Sequence, residues 1–369
     1  MDEYQKLRRV IVRGFRSLAN VDLEIRPLNI LIGPNGAGKS NFVELFTLVR
    51  TIVNQNLQLY TGKGGGANRL LYYGIKTTPQ LTIALSFPPN HYQLQLVPTA
   101  ADRFVFGYEN CYYDKDWSPG LYGENINNGG EESALEKFGR ERRGSVPKYV
   151  FQTLQTWRVY HFHDTSASAG VKQSVPRNDN LALKEDASNL AAFLLKMRDH
   201  GAQALHYKRL VRTIQLVIPF FKDFLFRPAD NPQQSLLLEW QDRNSPDTVF
   251  NAHDLSDGSL RFICLATLLL QPELPSVLLL DEPELGLHPS AVHILAGLLR
   301  RASDRATVIV STQSVNLVNE FGPDDIIVVD RDASGGSTFQ RQNNEQLAEW
   351  LQHYSLGELW EKNVIGGTP

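Results

Sequence analysis

Several things are scarce in this chain of 369 residues. It holds two cysteines, Cys111 and Cys264, too few for a disulfide framework, and Cys264 sits in the apolar run Phe262–Leu270, where a buried thiol is expected. A reducing compartment fits. An excess of one charge is also missing: 37 Lys plus Arg stand against 40 Asp plus Glu, a net charge of −3, so no global basic field attracts nucleic acid and any such contact needs a local patch. No apolar run reaches the about 20 residues that a membrane-spanning helix needs, and Met1–Arg9 has no apolar leader core. The expectation is a soluble, cytoplasmic protein with no membrane contact of its own. Sustained heptads are absent too, because Pro, Gly and Asn interrupt residues 114–250, which argues against long coiled-coil arms. With 42% hydrophobic residues, the chain can bury the core of one large α/β domain with an insertion, or of two domains.

Residues 28–42 organise the rest. Leu28–Ile32 reads as an apolar strand, and residues 33–40 follow the spacing G-x-x-x-x-G-K-S. Phe42, Leu45, Phe46, Val49 and Val53 then recur at helical spacing, so a helix opened by Lys39 and Ser40 runs to about Asn54. Gly33, Gly36 and Gly38 let the backbone bend without Cβ clashes, turning N–H groups onto an anion at a helix N-terminus. Lys39 can reach the β- and γ-phosphates, and Ser40 can offer its hydroxyl to Mg2+. A plain glycine-rich turn would account for the glycines but not for the full spacing, the Lys-Ser pair and the preceding strand together. Gly33, Asn35, Gly36, Ala37, Gly38, Lys39, Ser40 and Asn41 are therefore the expected nucleotide-binding set, with ATP and Mg2+ as its ligands.

Around this loop the pattern predicts strands over Leu7–Val12, Val21–Ile25 and Leu28–Ile32 in one sheet that delivers it. A glycine-rich loop over Thr61–Asn68 follows, then a hairpin of Leu81–Phe87 and Tyr92–Val97, a strand at Arg103–Tyr108, an exposed loop over 114–130 and a polar helix near Glu131–Arg143. Trp157–Phe162 reads as a strand ending in His161-Phe-His-Asp164, where two histidines lack a third ligand at a metal-site spacing. Residues 187–226 read as one or two helices, and Ser235–Trp240 with Thr248–Phe250 as a hairpin. The last third alternates strand and helix, the mark of a mainly parallel sheet.

Val277–Glu284 supplies what a P-loop needs. Four apolar residues make a buried strand, and Asp281 at its C-terminal end can hold Mg2+. The adjacent Glu282 can act as general base toward the attacking water. Just upstream, in Leu255-Ser-Asp-Gly-Ser-Leu-Arg-Phe262, Ser256 can cap the helix continued by Leu260–Leu270.

The order of these motifs, ending in Ser311-Thr-Gln-Ser314, resembles an ABC-type ATPase head. Ile11-Val-Arg-Gly-Phe-Arg-Ser-Leu18, the loop 33–41 and Glu282-Pro-Glu-Leu-Gly-Leu-His-Pro289 are similar to the RecF/SMC/OLD-like branch, over roughly residues 7–110 and 235–330. The resemblance implies an α/β, ABC-ATPase-like P-loop NTPase fold with an antiparallel β annex and a mainly helical inserted region. Its parts would be residues 1–113 and 235–369 of the ATPase core and the insertion 114–234. It further implies a homodimer or higher oligomer in which ATP is held between the P-loop of one head and Ser256 and Gly258 of another, with Leu285–His288 crossing the interface. Arg16 would lie near the nucleotide, or serve as an ordinary surface arginine. Gln313 stands where transporters usually carry a switch histidine, and lacking charge it predicts slow hydrolysis. No glutamine loop is recognisable, and His163 or Asp164 could replace it by position.

Function then divides three ways. The first is an ATPase that drives or gates a separate effector, with a nuclease as one candidate, in DNA transactions or anti-phage defence. The alternatives are an SMC/RecF-like DNA clamp or repair protein, and, with least support, the ATPase subunit of a transporter. The chain ends about forty residues after Asp330, short for a nuclease module, so a nuclease is expected on another polypeptide. DNA stays an open partner, with weak support: the clusters Arg140/Arg142/Arg143, Lys208/Arg209/Arg212 and Arg300/Arg301/Arg305 read more readily as solvated helix faces than as DNA footprints.

Overall fold

The computed structural model describes residues 6–114, 123–141, 144–227, 235–245 and 247–367; Arg142, Arg143 and part of the expected loop 114–130 lie outside them. In chain order, β1 (Arg9–Phe15) and β2 (Leu18–Glu24) precede β3 (Leu28–Ile32), which leads into α1 (Lys39–Val53), α2 (Leu57–Lys63) and α3 (Ala67–Leu70). The strands β4 (Leu81–Phe87), β5 (Asn90–Pro98), β6 (Phe104–Tyr113) and β7 (Gly123–Asn127) come next, then α4 (Leu135–Glu141), α5 (Val146–Gln155) and β8 (Arg158–Tyr160). The middle of the chain holds β9 (Val175–Pro176), α6 (Leu190–Asp199), α7 (Ala204–Val217), β10 (Phe221–Leu225), β11 (Ser235–Leu236), β12 (Glu239–Asp242) and β13 (Val249–Asn251). After these run α8 (Asp257–Leu270), β14 (Val277–Asp281), α9 (Pro289–Ser303), β15 (Thr307–Ser311), α10 (Val315–Val318), β16 (Ile326–Arg331), β17 (Ser337–Arg341), α11 (Asn344–Leu347) and α12 (Leu356–Glu361).

The chain divides into two compact units, one of Met1–Val159, Pro275–Leu279 and Ser303–Pro369, the other of Tyr160–Leu274 and Leu280–Ala302. The first is built on two six-stranded sheets. One is antiparallel, in the order β2-β1-β4-β5-β6-β7, and the other runs β17-β16-β3-β15-β14-β8. In the second sheet β3 pairs in parallel with both β15 and β16, which makes the P-loop strand central. The expectation that β1, β2 and β3 share a sheet is therefore corrected. The burial pattern gives the reason: every residue of β3 is buried, as in a strand covered on both faces, whereas β2 alternates buried with exposed positions. The one polar residue of β3, Asn29, is satisfied, donating to the carbonyls of Arg26 (2.6 Å) and Val308 (3.2 Å).

Helix α1 buries Phe42, Leu45, Phe46 and Val49 in the same core as Val10 and Val12 of β1 and Ile309 of β15. Its Phe46 ring lies 5.4 Å from Trp157, and Phe42 lies 5.1 Å from Phe339. Where a loop was expected from Thr61, α2 extends to Lys63. Its first turn is held from afar, since the Glu132 carboxylate accepts from the N–H groups of Leu57 (2.8 Å) and Gln58 (3.0 Å). Likewise β7 forms within the expected loop 114–130 by pairing with β6, and α5 forms because Val150, Phe151 and Leu154 share a buried face.

In the second unit α8 is buried from Leu260 through Leu270. The helical stretch expected to reach residue 226 ends instead in β10. This strand joins β12 and β13 in a small antiparallel sheet whose Trp240 stacks on Phe250 with ring centroids 4.8 Å apart. Among the described residues no helix is long and apolar enough to cross a membrane.

Candidate nucleotide-binding site

The first unit carries the P-loop in a strained backbone path. Gly33, Gly36 and Gly38 take φ values of 146°, 79° and 121°, open to glycine and costly to any L side chain. Space adds to the requirement: a Cβ on Gly33 would collide with the Val329 carbonyl oxygen, and one on Gly38 with the Ser337 hydroxyl. Lys39 is buried, and its ammonium donates to the carbonyls of Gly33 (2.6 Å) and Pro34 (3.1 Å). Ser40 is exposed on the first turn of α1.

A hairpin from the far end of the chain braces this loop. Arg331 Nε donates to the Gly36 carbonyl (2.7 Å). The Ser337 hydroxyl donates to the Ala37 carbonyl (2.5 Å) and sits 2.7 Å from the Ser17 hydroxyl, which also accepts from the Asn41 amide (2.7 Å). Beside the loop lies a cavity of about 420 Å3 lined by Arg16, Asn41, Asn68, Arg69, Tyr72, Tyr73 and Arg331, among others. The Tyr72 and Tyr73 ring centroids are 4.5 Å apart, and the Tyr72 hydroxyl donates to the Ser334 carbonyl (2.6 Å). Arg16 has a φ of 49° and places its guanidinium 3.8 Å from Glu44, which accepts from the Tyr60 phenol (2.7 Å). Burial, then that bond, pushes the Tyr60 pKa up. Cations and aromatic faces in one concave site suit an anionic ligand with a flat ring. Gln313 follows β15, whose Ser311 is paired with Leu31, and Thr312 N–H donates to the Leu31 carbonyl (3.0 Å). The chain thus brings Gln313 off the sheet level with the end of β3.

The second unit carries the other expected groups. Asp281 ends β14, half-buried, and Glu282 has a φ of 41°, a left-handed conformation that a glutamate adopts only when its surroundings impose it. Ser256 caps α8, its hydroxyl accepting from the Ser259 N–H (3.2 Å), and stays exposed. Gly258 lies so close to the turn after Glu282 that a Cβ there would strike the Gly286 carbonyl oxygen. On that turn Leu285 is 51% exposed. Lys172 donates to the Thr165 carbonyl (2.6 Å) and stands 3.9 Å from Asp257. The Asp164 carboxylate accepts from Ser166 N–H (3.0 Å), and the Ser166 hydroxyl and N–H hold its pKa below the usual range. The His161 and His163 rings are 6.4 Å apart, and no group of three or more His, Cys, Asp or Glu gathers for a metal among the described residues.

The comparisons bear on both units. Residues 6–63 match the family model "AAA ATPase domain", and residues 147–319 match "AAA domain, putative AbiEii toxin, Type IV TA system". The OLD nuclease of Thermus scotoductus is 24% identical over 368 residues, which span 95% of this chain and 67% of that protein. An ABC transporter A family member 10 of Dictyostelium discoideum is 33% identical over 111 residues, 30% of this chain and 12% of the transporter. Among solved structures, an Smc head bound to the C-winged helix domain of ScpA superposes with a TM-score of 0.58 at 12% identity, covering 93% of this chain and 99% of that one. The Pyrococcus furiosus Smc head with an extended coiled coil, bound to the C-terminal domain of ScpA, gives 0.51 at 13%, covering 94% and 98%. The chain is a P-loop ATPase that resembles the RecF/SMC/OLD-like branch.

The ATPase gathers Arg16, the P-loop residues and Gln313 in one unit, and Ser256, Gly258, Asp281 and Glu282 in the other. Sequence reasoning missed Ser17, Asn68, Arg69, Tyr72, Tyr73, Arg331 and Ser337. A Tyr-Tyr pair three residues after Arg69 and close behind the four glycines of Thr61–Asn68 was a usable signal for the cavity. Ser337 carried none, since it meets Ala37 across 300 residues of chain.

Proposed function

We propose that two copies of the ATPase pair head to tail, each closing over ATP bound to the other, and that this closure gates a separate effector. The carrying observation is that Ser256, the residue heading α8, faces solvent with the first turn of a helix that is buried from Leu260 through Leu270. A solvent-facing helix N-terminus headed by a serine is suited to an anionic γ-phosphate presented by a second head.

In this reading backbone N–H groups of the loop after Pro34 and the Lys39 ammonium hold the β- and γ-phosphates, and the base and ribose occupy the cavity beside Tyr72 and Tyr73. Ser40 and Asp281 fit Mg2+, being a hydroxyl and a carboxylate, the hard oxygen donors that it prefers; when bound it offsets charge on the phosphate oxygens. Glu282 takes a proton from the water that attacks the γ-phosphorus as the bond to the β-phosphate oxygen breaks. Gln313 orients that water through its amide, without adding charge.

For the effector, the OLD nuclease similarity favours a nuclease acting in DNA transactions or phage defence. A second reading, direct DNA contact as in a clamp, is favoured by α7, which exposes Lys208, Arg209 and Arg212 and carries no acidic residue. The deciding experiment is Glu282→Gln. It should lower hydrolysis by about 10²–10⁴-fold and accumulate an ATP-dependent dimer in light scattering, whereas Lys39→Ala should lose nucleotide binding. A Glu282→Gln protein with an unaltered turnover rate would overturn the assignment.

A further inference from the structure

Arg261 is the one charged residue in the otherwise apolar stretch Leu260–Cys264, and its side chain is 7% exposed. All three guanidinium nitrogens donate to main-chain carbonyls. Nε reaches Phe162 (3.0 Å), Nη2 reaches His163 (3.1 Å) and Nη1 reaches Leu285. These acceptors lie on two segments separate from α8 in sequence, the stretch just after β8 and the turn after Glu282. The same turn meets α8 a second time, through the close approach of Gly258 to the Gly286 carbonyl. Gly286 itself has a φ of 76°, and a Cβ there would lie 3.1 Å from Arg261 Nη1.

A buried cation needs a reason, because an apolar residue would fill the helix face without desolvation cost. The rigid planar fork supplies one: it fixes the direction of three carbonyls at once, which a lysine cannot do. We infer that Arg261 is a positioning residue that ties the helix headed by Ser256 to the main chain carrying Glu282 and Leu285. ATP seated at Ser256 by a second head then sets the geometry of the hydrolytic glutamate and of the exposed turn. This rests on the paired-head reading above. Each guanidinium nitrogen of Arg261 is engaged by a main-chain carbonyl, so its role is orientation.

The test compares Arg261→Met and Arg261→Lys in the full chain. Arg261→Met should keep a cooperative melt and bind a fluorescent ATP analogue within about threefold of the parent, because the P-loop lies in the other unit. Its kcat should fall on the order of 10²-fold, the scale of a small misplacement of reacting groups, with KM little changed. Arg261→Lys, keeping the charge and part of the bonding, should recover about a tenth or more of the parent kcat. In a Glu282→Gln background, Arg261→Met should prevent the ATP-dependent dimer. An unchanged kcat in folded Arg261→Met overturns the inference, as does a fall in ATP affinity equal to the fall in kcat. Should Arg261→Met fail to melt cooperatively, Arg261→Lys decides: a reduced kcat at constant KM supports the coupling, and parent-like kinetics overturn it. If Glu282→Gln alone stays monomeric with ATP, the paired reading fails, and the kcat of the Arg261 variants still decides whether α8 positions Glu282.

Discussion

Replacing Gly38 by alanine separates two reasons for glycine in a phosphate loop, because Gly36 supplies a control in the same loop. Both have positive φ, 121° at Gly38 and 79° at Gly36, so each substitution carries backbone strain of about 1–3 kcal/mol. Only one carries a collision. A Cβ on Gly36 meets nothing within 4 Å, whereas on Gly38 it would strike the Ser337 hydroxyl and lie 2.8 Å from Ser337 Cβ and 2.9 Å from Ser17 Oγ. Forcing Ser337 aside adds about 1–3 kcal/mol of overpacking and strands the Ala37 carbonyl, about 1 kcal/mol more. Gly38→Ala should therefore exceed Gly36→Ala by about 2–4 kcal/mol, or roughly 30- to 1000-fold in ATP affinity if the loop alone yields. Titration with a fluorescent ATP analogue, run beside thermal melts, measures the difference. Ser337→Gly removes the colliding group, so Gly38→Ala/Ser337→Gly should bind about tenfold more tightly than Gly38→Ala, judged against Ser337→Gly alone. Equal affinities for Gly36→Ala and Gly38→Ala, or no recovery in the double variant, would refute the reasoning.

Tyr72→Ala removes a ring contact and the bond to the Ser334 carbonyl, and should weaken ATP and ADP binding about tenfold while leaving inorganic triphosphate unchanged; an equal loss for triphosphate would place the ring on the phosphates instead. Glu109 is fully buried and accepts from Tyr92 (2.5 Å), Ser133 (2.5 Å) and the Ala134 N–H (2.9 Å), yet burial outweighs these bonds and raises its pKa. The folded state thus holds this proton more tightly than the unfolded chain. The stability it confers is full below the ordinary carboxylate pKa and is lost as pH rises through the raised folded value. Melting temperatures of the parent should accordingly fall relative to Glu109→Gln as pH climbs from 4 to 7, and parallel curves would contradict the shift. Burial pushes the Cys264 thiol up to about 12 and the Cys111 thiol well above its usual value, so both should resist alkylation until the protein is denatured; rapid labelling of the native protein would expose an error in the packing.

The sequence announced the loop, the acidic strand end and most strands, because each signal is local: a spacing, an alternation, a glycine. Partners were the harder matter. A period-two pattern says that β1 and β3 are strands but does not say that they enter different sheets. The distinction was present in Leu28–Ile32, apolar at nearly every position where Val21–Glu24 of β2, in the other sheet, alternates. Helix α2 was hidden by its glycine, since what holds its first turn is Glu132, some 75 residues away. For the candidate site the same rule applies. Lys39 and Glu282 were named from their neighbours in sequence, whereas Arg331 and Ser337 act on the loop through contacts that only folding creates.

The central position of β3 has a consequence for biosynthesis. Its parallel neighbours, β15 and β16, are made about 280 and 300 residues later, and Ser337 later still. On a growing polypeptide β3 therefore emerges from the ribosome without either sheet partner, while the sequential hairpins from β4 to β7 can zip as they appear. At about 5–20 residues per second, the phosphate loop waits tens of seconds for its bracing. An ATP-competent site is thus a late product of translation, and a nascent chain halted before Thr307 would carry the glycine motif with no folded place to use it.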